Sequence, residues 1–235
     1  MQNKSIVIVP TYNEVDNIGP IIDEVWKHSP NLHILVVDDS SKDGTAQVVK
    51  EKITKNPEKL QILERSGKLG LGTAYIAGFK LALEKGYTKI IEMDADFSHN
   101  PKTLVEIVAG LENSDVIIGS RYVEGGGTEN WHPLRKKISQ LGSLYARMIL
   151  RAPINDFTGG FNGWTDKVLK SIDLDQVKSE GYSFQIELKY RAYQKKFKIS
   201  EIPIIFSERR EGQSKMSGNI IIEALYRVLI MKCTI

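Results

Sequence analysis

A mostly parallel β-sheet covered by helices on both faces is the fold class that this chain of 235 residues predicts. Short apolar runs alternate repeatedly with longer segments of helical period. Each apolar run ends in polar, charged or glycine-bearing residues. With 41% hydrophobic residues in 26.5 kDa, the chain can bury one substantial core.

The elements follow in order. Residues 6–9 (IVIV) read as a strand, and 17–28 as a helix with Ile18, Ile21, Ile22, Val25 and Trp26 on one stripe. Residues 34–37 (ILVV) form the next strand and 43–53 the next helix. A strand at 60–63 precedes a helix at 70–85, a strand at 89–93 precedes a helix at 101–112, and 116–118 (VII) closes the series. Such alternation favours parallel strands, whose ligands bind beyond their carboxyl ends.

Bulk properties exclude several classes. The net charge of +3, from 32 basic against 29 acidic residues, is too even to announce a nucleic-acid binder, and no nucleic-acid partner is expected. A single cysteine, Cys233, excludes an internal disulfide framework and a cysteine zinc site, and is compatible with a reducing compartment. MQNKSIVIVP runs straight into the first strand, so no signal peptide is expected. Glu223 and Arg227 interrupt the most apolar stretch, 220–231, so the chain is not expected to cross a bilayer.

The strand ends carry the functional signal. PTYNE (10–14) follows the first strand, DDSSKDGT (38–45) the second, ERSGKLGLG (64–72) the third, DAD (94–96) the fourth and GSRY (119–122) the fifth. Singly, Ser41 or Asp43 can be a helix cap, and Gly44, Gly67, Gly70 and Gly72 can be turn residues. Gathered on one sheet edge, they favour a nucleotide or phosphate site.

VPTYNE (9–14), VVDDSSKDGT (36–45), GLGTAYIAGFKLA (70–82), DADFSHNP (94–101), GSRY (119–122) and FSERREGQSK (206–215) together resemble the ordered motifs of family 2 glycosyltransferases. Within that family the resemblance is to polyprenol and dolichol phosphate mannose synthases. It implies a GT-A type fold over residues 1–215, with 216–235 as a membrane-proximal C-terminal helix. It also implies inverting transfer of mannose from GDP-mannose to a polyprenyl phosphate.

A departing nucleoside diphosphate gathers negative charge, and a divalent cation on carboxylates can meet it; Mg²⁺ or Mn²⁺ suits such hard oxygen ligands. If 94–96 is extended, Asp94 and Asp96 share one side and Ala95 faces the other. By resemblance Asp96 is the direct metal ligand, and Asp94 addresses the ribose or the metal through water. The alternative is that the pair caps the helix near Pro101. Ser98 stands where some relatives carry glutamine, and its shorter hydroxyl is a weaker ligand, so water or His99 is a candidate to complete the site.

The same resemblance assigns Pro10, Tyr12 and Glu14 to the base and ribose pocket, and Asp38 and Asp39 to the base. Arg209 and Lys215 would clamp the diphosphate from a closing loop, and Arg121 and Arg135 would grip the lipid phosphate. A phosphate acceptor is already ionised, so no general base is expected. NDFTGGFNGW (155–164) departs from the family at Gly160 and Asn162, where relatives usually carry serine and arginine; Asp156 remains a pocket candidate. In EGYSFQIELKYRAY (180–193), Gln185 and Glu187 are candidate sugar or loop contacts.

The segment LRKKISQLGSLYARMILRAP spaces Ile138, Leu141, Leu144, Tyr145, Met148 and Ile149 as a helix with a basic start. It fits either a membrane interface bearing an anionic lipid or ordinary core packing. The expected location is the cytoplasmic face of a membrane, held peripherally or by an anchoring partner subunit. Other readings are a UDP-glucose or UDP-N-acetylglucosamine donor, a non-lipid acceptor, a non-catalytic nucleotide-sugar-binding subunit, or a nucleotidyltransferase. PTYNE, with neither glycine nor lysine, argues against the last.

Overall fold

The computed structural model describes residues 4–177, 179, 181–208 and 218–235, with backbone only for 182 and 218–224. The chain runs β1 (Ser5–Thr11), α1 (Val15–His28), β2 (His33–Asp38), α2 (Thr45–Lys55), β3 (Leu60–Glu64), α3 (Leu71–Glu84) and β4 (Lys89–Glu92). A 3-10 turn at Pro101–Thr103 leads into α4 (Leu104–Gly110), β5 (Val116–Ser120), β6 (Gly127–Thr128) and α5 (Pro133–Leu150). Then come β7 (Asn162–Thr165), α6 (Asp166–Ser171), α7 (Gly181–Gln194), β8 (Ile199–Pro203), β9 (Ile205–Phe206) and α8 (Gly218–Thr234).

The central sheet has the order β3-β2-β1-β4-β7-β5-β8. Its strands are buried on both faces because their side chains alternate between two apolar clusters. Ile6, Ile8, Leu35, Val37, Ile90, Val116 and Ile118 join one cluster, with residues of α3, α5, α6, α7 and α8. Val7, Val9, Ile34, Val36, Ile91 and Ile117 join the other, under α1, α2 and α4. The fold is therefore the α/β class that the alternation predicts. Four strands were not visible in the pattern, β6, β7, β8 and β9, and the one that reshapes the middle of the sheet is β7, which is antiparallel to both β4 and β5 and lies between them. Its four residues, NGWT, are too short and too glycine-bearing to read as a strand. Gly163 is needed there, since a Cβ would stand 2.5 Å from Ile107 Cγ2.

The sheet order reverses at β1 and β4, which pair with each other while β2 lies to one side and β7 to the other. A crevice at their carboxyl ends is the geometric result. One helix and one strand end shift: the segment 101–112 is a 3-10 turn followed by a short α4, and the strand expected to end at 93 stops at Glu92. In the C-terminal segment, Val228 and Met231 of α8 are buried in the main core, and α8 packs beside α5 and α7.

α3 and α7 meet beneath the crevice at Gly72, where a Cβ would lie 2.9 Å from Phe184 Cδ2 and 3.1 Å from its Cγ. Gly72→Ala is expected to destabilise the protein by about 1–3 kcal/mol, read from denaturant unfolding. An unchanged midpoint would show that the two helices are not in close packing.

Candidate active site

The crevice is a cleft of about 390 Å³. The loops after β1 and β2 build one part of it by tying themselves together. Asn13 Oδ1 accepts from Lys42 N at 3.0 Å, Glu14 N donates to Thr45 Oγ1 at 2.9 Å, and Asp43 Oδ2 accepts from Val15 N at 3.0 Å. Asp43 Oδ1 also accepts from Thr45 N at 3.0 Å, so Asp43 joins the first turns of α1 and α2. Gly44 precedes α2 at φ 99°, a backbone region that disfavours any other residue.

Pro10, Tyr12 and Glu14 line the cleft. Of the expected aspartate pair, only Asp39 does. Asp38 is 1% exposed and faces inward, accepting from Thr11 Oγ1 at 2.8 Å and from Ser41 N at 2.9 Å and Oγ at 2.6 Å. It holds the two loops in register rather than presenting a carboxylate to a ligand. Asp39 is gripped by Arg65, through Nε to Oδ1 at 2.6 Å and Nη2 to Oδ2 at 2.7 Å. Lys68 stands over the Tyr12 ring at 3.9 Å from its centroid.

Asp94 and Asp96 both line the cleft, but so does Ala95, so extended alternation is not what aligns them. The chain leaves β4 at Glu92 and bends, with Phe97 at φ 62°. Asp96 Oδ1 accepts from Ser98 N at 3.0 Å, and Tyr75 Oη donates to Asp94 Oδ1 at 3.2 Å. The capping alternative is overturned, because Asn100 Oδ1 accepts from Lys102 N at 3.0 Å and caps the 3-10 turn itself. Ser98 is 1% exposed and stands behind the cleft wall, its Oγ buried without a hydrogen-bond partner. His99 lines the cleft, stacked on Phe161, and its Nδ1 accepts from Asp94 N at 3.1 Å. Burial lowers its pKa to about 4 against the pull of Asp96, so the ring is neutral at pH 7.

Arg121 and Arg135 reach the same cleft. Asp156, expected on the pocket surface, is fully buried and serves as the counterion of Arg121. Arg121 donates to it from Nε and Nη2, both at 2.7 Å, and from the backbone N at 3.0 Å. Burial opposes the Asp156 charge, yet the adjoining guanidinium brings its carboxyl down to about 2. Arg135 lies over Trp131 at 4.1 Å and donates to Glu208 Oε1 at 3.2 Å. Gln185 lines the cleft, whereas Glu187 is drawn away by Arg191 at 2.6 Å. Arg209 and Lys215 lie outside the described residues.

A family model described as "Glycosyl transferase family 2" matches residues 6–173. The chain belongs to this glycosyltransferase family. It is 43% identical over 226 residues to a polyprenol monophosphomannose synthase of Mycolicibacterium smegmatis, covering 96% of this chain and 85% of that protein. It is 42% identical over 223 residues to an undecaprenyl-phosphate mannosyltransferase of Micrococcus luteus, covering 95% and 91%. Among solved structures it resembles glucosyl-3-phosphoglycerate synthase from Mycobacterium tuberculosis, in complex with Mn²⁺, UDP and phosphoglyceric acid. The TM-score is 0.74 at 16% identity, over 100% of this chain and 80% of that one. A mannosyltransferase from Pyrobaculum calidifontis in complex with GDP-mannose and Mn²⁺ gives a TM-score of 0.60 at 18% identity, over 98% and 73%. The transferase has the GT-A fold of these neighbours.

Several site residues escaped the sequence reading. Arg65, Lys68 and Thr158 lie inside stretches already marked, ERSGKLGLG and NDFTGGFNGW, without being singled out there, and Trp131 lies in none of them. Glu92 left a signal, since a carboxylate inside the apolar run KIIEM must find buried partners. Burial pushes its carboxyl up to about 7, against the donors that surround it. Lys189, also buried, is pushed down to about 8. Its Nζ donates to the carbonyls of Asp156, Phe157 and Gly159 at 2.9, 3.2 and 2.7 Å.

Because the folded-state pKa of Asp156 is depressed, its contribution to stability is present above the unfolded carboxyl range near 4 and is lost as pH falls towards about 2. Asp156→Asn is expected to cost about 3–5 kcal/mol by leaving Arg121 without its counterion. The variant's unfolding free energy should also vary less than the native protein's between about pH 4 and pH 2. Equal pH slopes would show that this pair does not set acid stability.

Proposed function

We propose that the protein transfers mannose from GDP-mannose to a polyprenyl phosphate, with inversion at the anomeric carbon. The observation that carries this reading is the convergence of the Asp94–Asp96 doublet with Arg121 and Arg135 on one cleft. A donor diphosphate and an anionic acceptor need those two opposite charge types side by side. The names and high coverage of the two mannosyl-transferring relatives support the sugar and the lipid class.

Tyr12, Glu14 and Asp39 are assigned to the nucleoside. Tyr12 offers a ring face for the base, and the carboxylates accept its N–H or ribose hydroxyl donors. A nucleotide stacking on that face displaces Lys68 from it. Arg121 and Arg135 are assigned to the acceptor phosphate, with Asp156 and Trp131 setting their orientation. Arg209 and Lys215 are assigned to the departing diphosphate. The attacking oxygen belongs to a phosphate with a second pKa of about 6, so it needs aiming rather than deprotonation.

The donor set fits Mg²⁺ or Mn²⁺, which bind through one or two protein carboxylates plus substrate phosphates. Asp94 and Asp96 would hold the cation, with the orphaned Ser98 hydroxyl behind them. Among the described residues no three histidine, cysteine, aspartate or glutamate side chains converge to hold a cation unaided. When bound, the ion would neutralise charge on the diphosphate.

No helix among the described residues is long and apolar enough to cross a membrane. α5 buries Ser143, Ala146 and Leu150 and leaves Leu134, Leu141, Leu144 and Met148 exposed, so four of its large apolar residues face away from the core. Leu225, Tyr226 and Leu229 of the adjoining α8 are exposed too, and Lys136 and Lys137 lie on the first turns of α5. This surface suits peripheral contact with the membrane that carries the lipid acceptor, on its cytoplasmic face.

A panel of radiolabelled nucleotide sugars with polyprenyl phosphate should place label in organic-extractable product from GDP-mannose. Label only in a glycan, protein or free sugar would sink the lipid reading. Asp96→Ala should lower turnover by on the order of 10²–10³-fold. Arg135→Ala should raise KM for the lipid phosphate about tenfold and leave GDP affinity unchanged. Calorimetry should find Mn²⁺ binding weak without nucleotide and at least about tenfold tighter with GDP present. Equal affinities would show that the protein holds the cation alone.

A further inference from the structure

Beneath the cleft lies a buried cluster that the proposed reaction does not use. Glu92 is 0% exposed, and its carboxylate accepts from Asn162 Nδ2 at 2.9 Å, Gln185 Nε2 at 3.0 Å and Trp164 Nε1 at 3.1 Å. Asn162 Nδ2 also stands 3.2 Å from Gly159 O and 2.9 Å from Gln185 Oε1. Two members of the cluster have no choice of role: the Trp164 indole N–H only donates, and the Gly159 carbonyl only accepts. The Gly159 carbonyl fixes which end of Asn162 is nitrogen, and that nitrogen fixes Gln185 Oε1 as the end facing it. The nitrogen of Gln185 is then the end facing Glu92.

An amide nitrogen carries two hydrogens, and Glu92 takes one. Gln185 lines the cleft, on α7, and next to it Gly160 replaces bulk with space: a Cβ there would stand 3.7 Å from Gln185 Nε2 and 4.0 Å from His99 Cε1. Glu92, the acceptor of that first hydrogen, precedes Asp94 of the acidic doublet by two residues, and Gln185, Gly160, Asp94 and Asp96 all line the cleft. A hexose joined to a diphosphate at that doublet meets this wall with its hydroxyl groups, which accept as readily as they donate.

We propose that Gln185 donates its second Nε2 hydrogen to a hydroxyl of the donor hexose, and that Glu92 is the positioning residue that fixes the polarity of this amide. The inference rests on the reading of the cleft as a nucleotide-sugar site, and it assigns the sugar half of that site to α7. Glu92 touches no substrate. It acts through Gln185, while Asn162 holds the other end of the amide in place.

The test compares binding of GDP-mannose and of GDP, both with Mn²⁺, by calorimetry on the full chain. Gln185→Leu should weaken GDP-mannose about tenfold and leave GDP within about twofold, because the lost contact is to the sugar. Glu92→Gln should shift the same ratio in the same direction. The double variant should lose no more than Gln185→Leu alone, since both changes remove one contact. Equal weakening of both ligands by Gln185→Leu, or no weakening of either, would overturn the proposal. So would a Glu92→Gln loss that adds in full to that of Gln185→Leu. Thermal unfolding accompanies each variant, and should Glu92→Gln fail to fold, Gln185→Leu decides. Native protein that binds GDP-mannose but transfers nothing to polyprenyl phosphate would sink the reaction, and the ratio would still decide the hexose contact.

Discussion

Arg121 stays in the interior only because Asp156 meets it with both carboxylate oxygens. A guanidinium that is 6% exposed carries a large desolvation cost, and the two-bond fork offsets it. The fork is itself held from several sides. Glu201 on β8 accepts from Asp156 N at 3.0 Å and from Asn155 N and Nδ2 at 2.8 and 2.7 Å. Lys189 on α7 takes three carbonyls of the same loop, and Asp156 Oδ1 accepts from Gly159 N at 2.9 Å. One ion pair thus joins the end of β5, the approach to β7, β8 and α7. The loop that carries Gly159 and Gly160 to the cleft has its shape from that joint.

The two halves of the cleft are built by different means. On the side of β1 and β2, short polar side chains lace the loops that follow the strands, and little charge is buried apart from Asp38 and the Asp39–Arg65 pair. On the side of β5, β7 and α7, buried titratable groups and amides hold the wall: Arg121 with Asp156, Glu92 with Asn162 and Gln185, and Lys189 with backbone carbonyls. Such networks are costly when incomplete and rigid when complete. A transferase that aims an already ionised oxygen gains more from rigid placement than from a tuned acid or base. Asn162 stands where relatives usually carry arginine, and its Nδ2, with two hydrogens, lies within reach of three acceptors, on Glu92, Gln185 and Gly159.

The helices α5 and α8 show how packing and solvent exposure separate. Amphipathic spacing in LRKKISQLGSLYARMILRAP fits either a membrane interface or packing against the core. Ser143, Ala146 and Leu150 are buried, and Tyr145 and Ile149 pack partly against the same core. Leu141, Leu144 and Met148 were left outside, a surface that water alone does not favour.

By itself the sequence determined the layered α/β plan, because strands buried on both faces must be continuously apolar and helices must carry a stripe; both are local patterns. It also marked the cleft, since polar, glycine-bearing turns after each parallel strand collect on one edge whatever the details. Tertiary structure decided what depends on distant partners. It inserted NGWT antiparallel between β4 and β5, turned Asp38 inward and Asp39 to the cleft, and made Asp156 a counterion rather than a ligand contact. Neighbouring residues of like chemistry differ in role because a buried carboxylate answers to whichever donors the fold brings within reach, and those donors stand tens of residues away in the chain.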